Sequence, residues 1–210
     1  MPELTIKALA EFSTKPIADQ MRILAEQKRP SAGAAQFKAP YYMPTRNAVR
    51  RYYRLSNNPA ILNDAITRLN AKNIVEHKRE NNVRAINDFR SHPSFAKRTF
   101  AGNTVETHRL VHEDIELRLH PDIDAIEGND HKYILINYTI APSDPEIVRR
   151  TLELMFWLLS ESDITLSPKD CEYFDLRTGN VITNKRAPRT TVLRNVRQNL
   201  QVINQLWPII

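Results

Sequence analysis

The spacing of apolar residues changes near residue 100, and this change constrains the fold more than any other feature of the sequence. Before it, apolar side chains recur at helical intervals, as in residues 17–25 and 61–69. After it they alternate with polar ones, as in residues 115–119, which is typical of a half-buried strand. We therefore expect helices in the first half of the chain and a sheet in the second.

Turn signals divide the second half into elements. A turn at residues 127–130 separates the apolar segments 123–126 and 133–136, which predicts a hairpin. The second segment is apolar throughout, so we expect a central strand that is covered on both faces. Three further elements are predicted: a long helix from Pro145 capped by Ser143 or Asp144, a hairpin over residues 172–182, and an amphipathic basic helix over residues 188–207.

These elements predict an α+β fold. It has a helical N-terminal part, a central, mostly antiparallel or mixed sheet flanked by helices, and a C-terminal amphipathic helix. We place the seam where the apolar spacing changes. The prediction is a basic helical region over residues 1–100, followed by an α/β core with the C-terminal helix over residues 101–210.

Two features bear on the compartment. The longest apolar run covers residues 154–159, far short of the roughly 20 residues that cross a bilayer, so we expect no membrane insertion. Cys171 is the single cysteine, and it cannot form an internal disulfide. A chain without disulfides suits a reducing compartment, and we expect the cytoplasm.

Charge is distributed unevenly along the chain. Basic residues exceed acidic ones by 10 in residues 1–100 and by 5 in residues 183–210, whereas acidic residues exceed basic ones by 9 in residues 101–182. The net charge is +6. Two interpretations stay open: the basic ends neutralise the acidic middle, or they present a positive surface to a polyanion.

Two segments are candidates for binding nucleic acid, either DNA or RNA. In the first, arginines that pair with phosphates are interleaved with tyrosines that stack on bases. Its residues are Arg46, Arg50, Arg51, Arg54, Tyr52 and Tyr53, and those of the second are Lys185, Arg186, Arg189, Arg194 and Arg197. The alternative for the first segment is a helix whose tyrosines anchor it to the core and whose arginines are solvated.

One stretch carries a family resemblance. Pro121-Asp122-Ile123-Asp124 is followed by a turn and by an apolar strand that runs into Asn137-Tyr138-Thr139, and then by a long helix and a hairpin. This order, over residues 104–182, resembles the core of the restriction-endonuclease-like, or PD-(D/E)XK, superfamily, most of all its RecB-type branch. In that family an aspartate ends one strand, and the next strand carries a carboxylate and a lysine two residues apart.

The resemblance implies a magnesium site with two of its positions altered. In the family the carboxylates hold Mg²⁺ and the lysine assists the attacking water. Asp124, with Asp122 beside it, matches the first aspartate, and we expect position 137 to face it across neighbouring strands. Asn137 then stands where the second carboxylate would be and Thr139 where the lysine would be, so the resemblance implies that catalysis is lost.

Other interpretations of the same residues stay open. Asp122, Asp124, Asp130 and Lys132 also match the motif literally and would form an active Mg²⁺ site, although Asp130 lies in the predicted turn. Asp122 and Asp124 would otherwise be a solvated strand end. No cofactor is expected unless the nuclease is active.

The leading hypothesis is a nucleic-acid-associated protein with an inactive nuclease-like core, a subunit of a defence or DNA-processing assembly. The first alternative is an active Mg²⁺-dependent nuclease. The second is a protein-interaction or assembly subunit, in which the basic ends of one chain meet the acidic middle of another, either in a homo-oligomer or with a protein partner.

Overall fold

The computed structural model describes residues 1–29, 41–71, 73–102 and 106–210. Within these ranges the α-helices are α1 (Ile6–Thr14), α2 (Ile17–Lys28), α3 (Met43–Arg54), α4 (Ala60–Ala71), α5 (Glu76–Ser91), α6 (Pro93–Ala96), α7 (Pro145–Glu161) and α8 (Thr190–Leu206). The strands are β1 (Glu3–Thr5), β2 (His108–His112), β3 (Ile115–Leu119), β4 (Ile123–Glu127), β5 (Asp130–Asn137), β6 (Cys171–Asp175) and β7 (Asn180–Thr183). None of the described helices is long and apolar enough to cross a membrane.

The strands form two mixed sheets. The smaller has the order β1-β3-β2, with β1 parallel and β2 antiparallel to β3. The larger has the order β4-β5-β6-β7, in which β5 and β6 are parallel and the outer pairs are antiparallel. Parallel neighbours require a crossover, and α7 supplies it between β5 and β6. The predicted α+β fold is confirmed, with two sheets rather than one.

Both faces of the larger sheet are buried. Tyr133 and Leu135 of β5 pack into one hydrophobic cluster, whereas Ile134 and Ile136 belong to a second cluster on the opposite face. We call these the α7 face and the α3 face, after the helices that cover them. The prediction that residues 133–136 form a central strand covered on both sides is confirmed.

The cluster on the α7 face draws on both ends of the chain. It contains residues of β1, α1 and α2 together with residues of β3, α7 and α8. The first strand lies parallel to β3 with Leu4 opposite Leu117, and Leu4 is 1% exposed. The first 29 residues therefore pack with the second half of the chain, and the seam predicted near residue 100 does not coincide with the division between the two clusters.

The cluster on the α3 face is rich in aromatic side chains. Tyr53 of α3 makes edge-to-face contacts with Phe89, Phe95 and Phe100 at centroid distances of 5.7, 5.8 and 4.7 Å. Phe95 also stacks on Phe174 of β6 at 3.8 Å. Aromatic pairs contribute about 0.5–1.5 kcal/mol each beyond the burial of their area. These contacts fix α3, α5 and α6 against the sheet.

Candidate functional site

Asp122 lies immediately before β4, and protein groups surround its carboxylate. Oδ2 accepts the backbone N–H of Ile136 at 2.7 Å, and Oδ1 accepts the hydroxyl of Tyr138 at 3.3 Å. Nε of Arg46, on α3, lies 2.6 Å from Oδ1. Asp122 is 2% exposed. A buried carboxylate needs such partners, because unpaired burial of its charge is very unfavourable.

The electrostatics around Asp122 favour the ion pair. Burial works against the charge of Arg46, but the neighbouring Asp122 and Tyr138 outweigh it and raise the pKa of Arg46. Burial and the negative charge of Asp122 together raise the pKa of Tyr138 well above its usual range. Tyr138 therefore stays a neutral hydrogen-bond donor, and Arg46 stays the cation that compensates Asp122.

Asp124 is held by two histidines, one from each sheet. Nε2 of His131, on β5, lies 2.5 Å from Oδ1, and Nε2 of His108, on β2, lies 3.2 Å from Oδ2. His131 also stacks on Tyr133 at 4.5 Å. Burial, with the charge of Asp124 adding to it, raises the pKa of Tyr133 to about 12. Asp124 thus links the smaller sheet to the larger one through its side chain.

Asn137 does not face Asp124, so this expectation was wrong. Asp124 is opposite Tyr133 in the β4–β5 register, and Asn137 lies four residues further along β5, roughly 13 Å away at strand spacing. On its other side, Asn137 is the register partner of Asp175 in β6. The pairing of β4 with β5 begins with Ile123 opposite Ile134, so no residue of β4 lies opposite position 137.

Asn137 and Thr139 instead close a turn at the end of β5. Oδ1 of Asn137 accepts the N–H and the hydroxyl of Thr139 at 3.1 and 2.8 Å, and Nδ2 donates to the carbonyl of Ala141 at 3.0 Å. Both residues line a small pocket of about 150 Å³ beside Lys7 and Tyr173. The polar groups of both residues therefore form hydrogen bonds within the turn over residues 137–141.

Lys132 lies on the α3 face, away from Asp124, because adjacent residues of β5 point to opposite faces. Its Nζ lies 3.0 Å from Oδ1 of Asp170, 3.7 Å from Oδ2 of Asp130 and 3.8 Å from Oε1 of Glu172. The structure therefore does not bring Asp122, Asp124, Asp130 and Lys132 together in one site. Lys132 neutralises buried carboxylates.

Asp122 and Asp124, as arranged, do not fit the magnesium ion that the resemblance implies. Mg²⁺ requires near-octahedral oxygen ligands, and both oxygens of each aspartate already accept from protein donors. In the part of the chain that the structure describes, no three His, Cys, Asp or Glu side chains form a group that could hold a metal ion.

Tyr52 and Tyr53 are buried, and the prediction that they stack on bases was wrong. Their hydroxyls donate to the carbonyls of Ala96 at 2.9 Å and Phe95 at 2.8 Å. Tyr53 is 2% exposed. The apolar side of α3 faces the core at helical spacing, and the two tyrosines lie on that side. They anchor the helix, as the alternative interpretation held.

The four predicted arginines of α3 divide into two pairs. Arg46 binds Asp122, and Arg50 donates to the backbone carbonyls of Asp122 at 2.8 Å and Pro121 at 3.0 Å. Burial, with the nearby charge of Arg46, lowers the pKa of Arg50 although Asp122 opposes this. Arg51 and Arg54 are exposed and, within the described ranges, have no carboxylate partner.

A groove of about 750 Å³ lies between α3 and α4, and Lys78 of α5 also lines it. We call it the α3–α4 groove. Its lining combines apolar side chains with five cations and one carboxylate. The apolar residues are Met43, Pro44, Ala48, Ile61, Ala65, Leu69 and Ile74, the cations are Arg50, Arg51, Arg54, Arg68 and Lys78, and the other two residues are Asn47 and Asp64.

All five cations lack an ion-pair partner among the described residues, but Arg50 differs from the others because backbone carbonyls hold its guanidinium group. Within the described residues Arg51, Arg54, Arg68 and Lys78 form no ion pair, and only Lys78 has another contact of note, lying 6.0 Å over the ring of Tyr41. Arg68 and Lys78 were not among the binding residues predicted from the sequence. Helical spacing over residues 61–69 could have placed Arg68 beside Ile61 and Ala65 on one face of α4.

The second predicted basic region lies on the other side of the larger sheet. The last helix, α8, packs through Val196, Leu200 and Ile203 into the cluster on the α7 face. The five predicted cations are exposed: Lys185, Arg186, Arg189, Arg194 and Arg197. No pocket among those described contains them. The two basic regions therefore do not form one continuous surface.

Comparison with known proteins adds no family to this geometry. No family model matches the chain, and no curated protein matches it. The arrangement of charge and apolar surface in the α3–α4 groove is therefore the feature that bears most on function.

Proposed function

We propose that this protein binds nucleic acid in the α3–α4 groove and does not cleave it. The observation that carries the proposal is that Arg51, Arg54, Arg68 and Lys78 lie in one concave site and, among the described residues, have neither an ion-pair partner nor a backbone carbonyl that holds their charged group. Exposed cations that are not neutralised within the chain attract a polyanion, and binding releases the counterions of its phosphates.

The apolar floor of the groove favours nucleic acid over a simple anion. Met43 is exposed and Ile61 and Ala65 are half-buried, so these three offer aliphatic surface among the cations. A nucleotide combines a flat, largely apolar base face with a charged phosphate, so it can use both parts of the site. The volume also lies within the range of about 300–1,000 Å³ that is typical of ligand pockets.

The same proposal includes a nuclease-like core without a working active site. The order of the β4–β5 hairpin, the α7 crossover and the β6–β7 hairpin supports the resemblance. Arg46 supports inactivity, because its guanidinium lies against Asp122, where a metal cation would be needed. In this proposal Asp122 is a structural acceptor that fixes α3 to the sheet.

Fluorescence anisotropy tests the binding site. Labelled single-stranded and duplex DNA and RNA are titrated with the protein between about 50 and 200 mM salt. We expect tight binding at low salt that the variant Arg51→Ala/Arg54→Ala/Arg68→Ala weakens roughly 30-fold or more, since three phosphate contacts are lost. The matched control, Arg189→Ala/Arg194→Ala/Arg197→Ala, removes the same charge from the opposite side of the sheet and should weaken binding only about twofold.

Other outcomes of these assays distinguish the alternatives. Equal weakening by both variants would mean that net charge, not the groove, governs binding. Cleavage of any substrate with Mg²⁺ or Mn²⁺, abolished by Asp124→Ala, would identify an active nuclease. Salt-dependent oligomer mass in light scattering, without affinity for nucleic acid, would identify an assembly subunit.

A further inference from the structure

One side chain in the α3–α4 groove has the wrong charge for binding phosphate. Among the described residues that line the groove, Asp64 of α4 is the one carboxylate. It is exposed, and within the described ranges it forms no ion pair, although Arg68 follows it by one helical turn. A free carboxylate in a phosphate-binding groove repels the ligand backbone unless it contacts a hydrogen-bond donor of the ligand.

The concave shape of the groove does not suit recognition of a duplex by its base edges. That recognition places a protruding helix or ribbon in a major groove about 12 Å wide. The α3–α4 groove is instead a concavity between two packed helices. Unstacked bases of a single strand can enter such a site, where their edges are free for hydrogen bonds.

The lining gives each part of a single strand a distinct neighbour. Arg51 and Arg54 on α3 and Arg68 on α4 border the groove and suit phosphates. The aliphatic floor suits the face of a base. Asn47 and Asp64 are the uncharged polar and acidic groups among the described lining residues, and they suit the edge of a base.

The chemistry of a carboxylate selects among the four bases. An ionised carboxylate only accepts hydrogen bonds, so it requires donors on the base. Guanine presents N1–H and the 2-amino group side by side and can donate to both oxygens at once. Adenine and cytosine offer one amino group beside a ring acceptor, and the N3–H of uracil or thymine lies between two carbonyl oxygens that repel a carboxylate.

We propose that the α3–α4 groove binds single-stranded nucleic acid with a guanine base against Asp64. This inference rests on the proposed function and adds the strand form and the base preference. Asp64 would then offset its repulsion of phosphates with two charge-assisted hydrogen bonds, which are stronger than neutral ones.

The test uses short uridine oligonucleotides with one central guanosine, inosine or adenosine. Inosine keeps N1–H and lacks the 2-amino group, so it removes one of the two proposed bonds. By anisotropy we expect wild type to bind the guanosine oligonucleotide about tenfold more tightly than the other two. It should also bind this strand more tightly than a duplex of the same sequence.

Asp64→Asn should lower the affinity for the guanosine strand to that for the inosine strand, without reducing the affinity for the inosine and adenosine strands. Glu113→Gln, an equal loss of charge at an exposed site in the β2–β3 turn, should leave the preference intact. Asp64 is exposed, so both variants should match wild type in circular dichroism and thermal unfolding.

The outcomes separate this inference from the proposed function. Equal binding of guanosine and inosine by wild type, a preference that survives Asp64→Asn, or tighter binding of the duplex would overturn the inference and leave nucleic-acid binding intact. No binding of any strand at low salt would overturn both.

Discussion

The two sides of α3 use the same residue type for different purposes. Arg46 and Arg50 contact the beginning of β4, where the Asp122 carboxylate and two backbone carbonyls engage their guanidinium groups. Arg51 and Arg54 line the α3–α4 groove and have no carboxylate partner within the described part of the chain. An arginine-rich segment of a sequence therefore indicates positive charge. Contacts with distant elements determine whether each arginine stabilises the fold or is available to bind a ligand.

Asp122→Ala should give the largest effect, and this effect should be a loss of stability. The change leaves Arg46 without its counter-ion, and it leaves the Ile136 amide and the Tyr138 hydroxyl without their acceptor. We expect the free energy of unfolding to fall by about 3 kcal/mol, measured by urea unfolding. Asp64→Ala, an exposed control, should change it by less than about 0.5 kcal/mol. A loss below about 1 kcal/mol for Asp122→Ala would show that this ion pair does not stabilise the fold.

The groove triple variant Arg51→Ala/Arg54→Ala/Arg68→Ala should give the next largest effect, and only on binding. The slope of log affinity against log salt should become shallower by about 2 to 3 units, since each phosphate contact contributes about 0.9. The free energy of unfolding should stay within about 0.5 kcal/mol of wild type, because these side chains are exposed and have no ion-pair partner among the described residues. If the variant unfolded more easily but bound normally, the three groove arginines would stabilise the fold and would not bind the ligand.

Tyr53→Phe should affect stability slightly and binding not at all. The substitution removes the hydroxyl that donates to the buried carbonyl of Phe95 and keeps the aromatic packing. We expect a loss of about 1–2 kcal/mol in urea unfolding and an unchanged anisotropy titration. A clear loss of affinity in a folded Tyr53→Phe protein would show that Tyr53 contributes to binding.

Asn137→Asp/Thr139→Lys should have the smallest effect on function. It restores the two residue types of the family motif at the end of β5, yet position 137 lies roughly 13 Å from the residue opposite Asp124, and Arg46 still neutralises Asp122. We expect no cleavage of DNA or RNA with Mg²⁺ or Mn²⁺, measured on denaturing gels. Cleavage by this variant would show that two altered residues alone separate the chain from an active nuclease.

Local signals predicted the elements that depend on local chemistry. The turn at residues 127–130 joins β4 and β5, and Asp144 caps α7 by accepting the N–H of Glu146 at 2.9 Å. By contrast, nothing local indicates β1, a strand of three residues that pairs with β3 more than 100 residues later. Its pairing depends on tertiary packing.

The error in the register at Asp124 was avoidable, whereas the ion-pair partner of Asp122 could not be predicted from the sequence. Counting back from the pair Glu127–Asp130 on either side of the predicted turn already puts Asp124 opposite Tyr133. The ion pair of Asp122 with Arg46 joins residues far apart in the chain, and no spacing rule connects them. The groove likewise depends on how α3 and α4 pack, so sequence could supply its cations but not their arrangement.

Modification of arginines by phenylglyoxal, read residue by residue by mass spectrometry, tests the central claim most directly. It is run with and without the oligonucleotide that binds most tightly. We expect Arg51, Arg54 and Arg68 to react in the free protein and to be protected by the oligonucleotide, while Arg194 and Arg197 stay reactive. Protection at Arg194 and Arg197 with none at Arg51, Arg54 and Arg68 would contradict the assignment of binding to the α3–α4 groove.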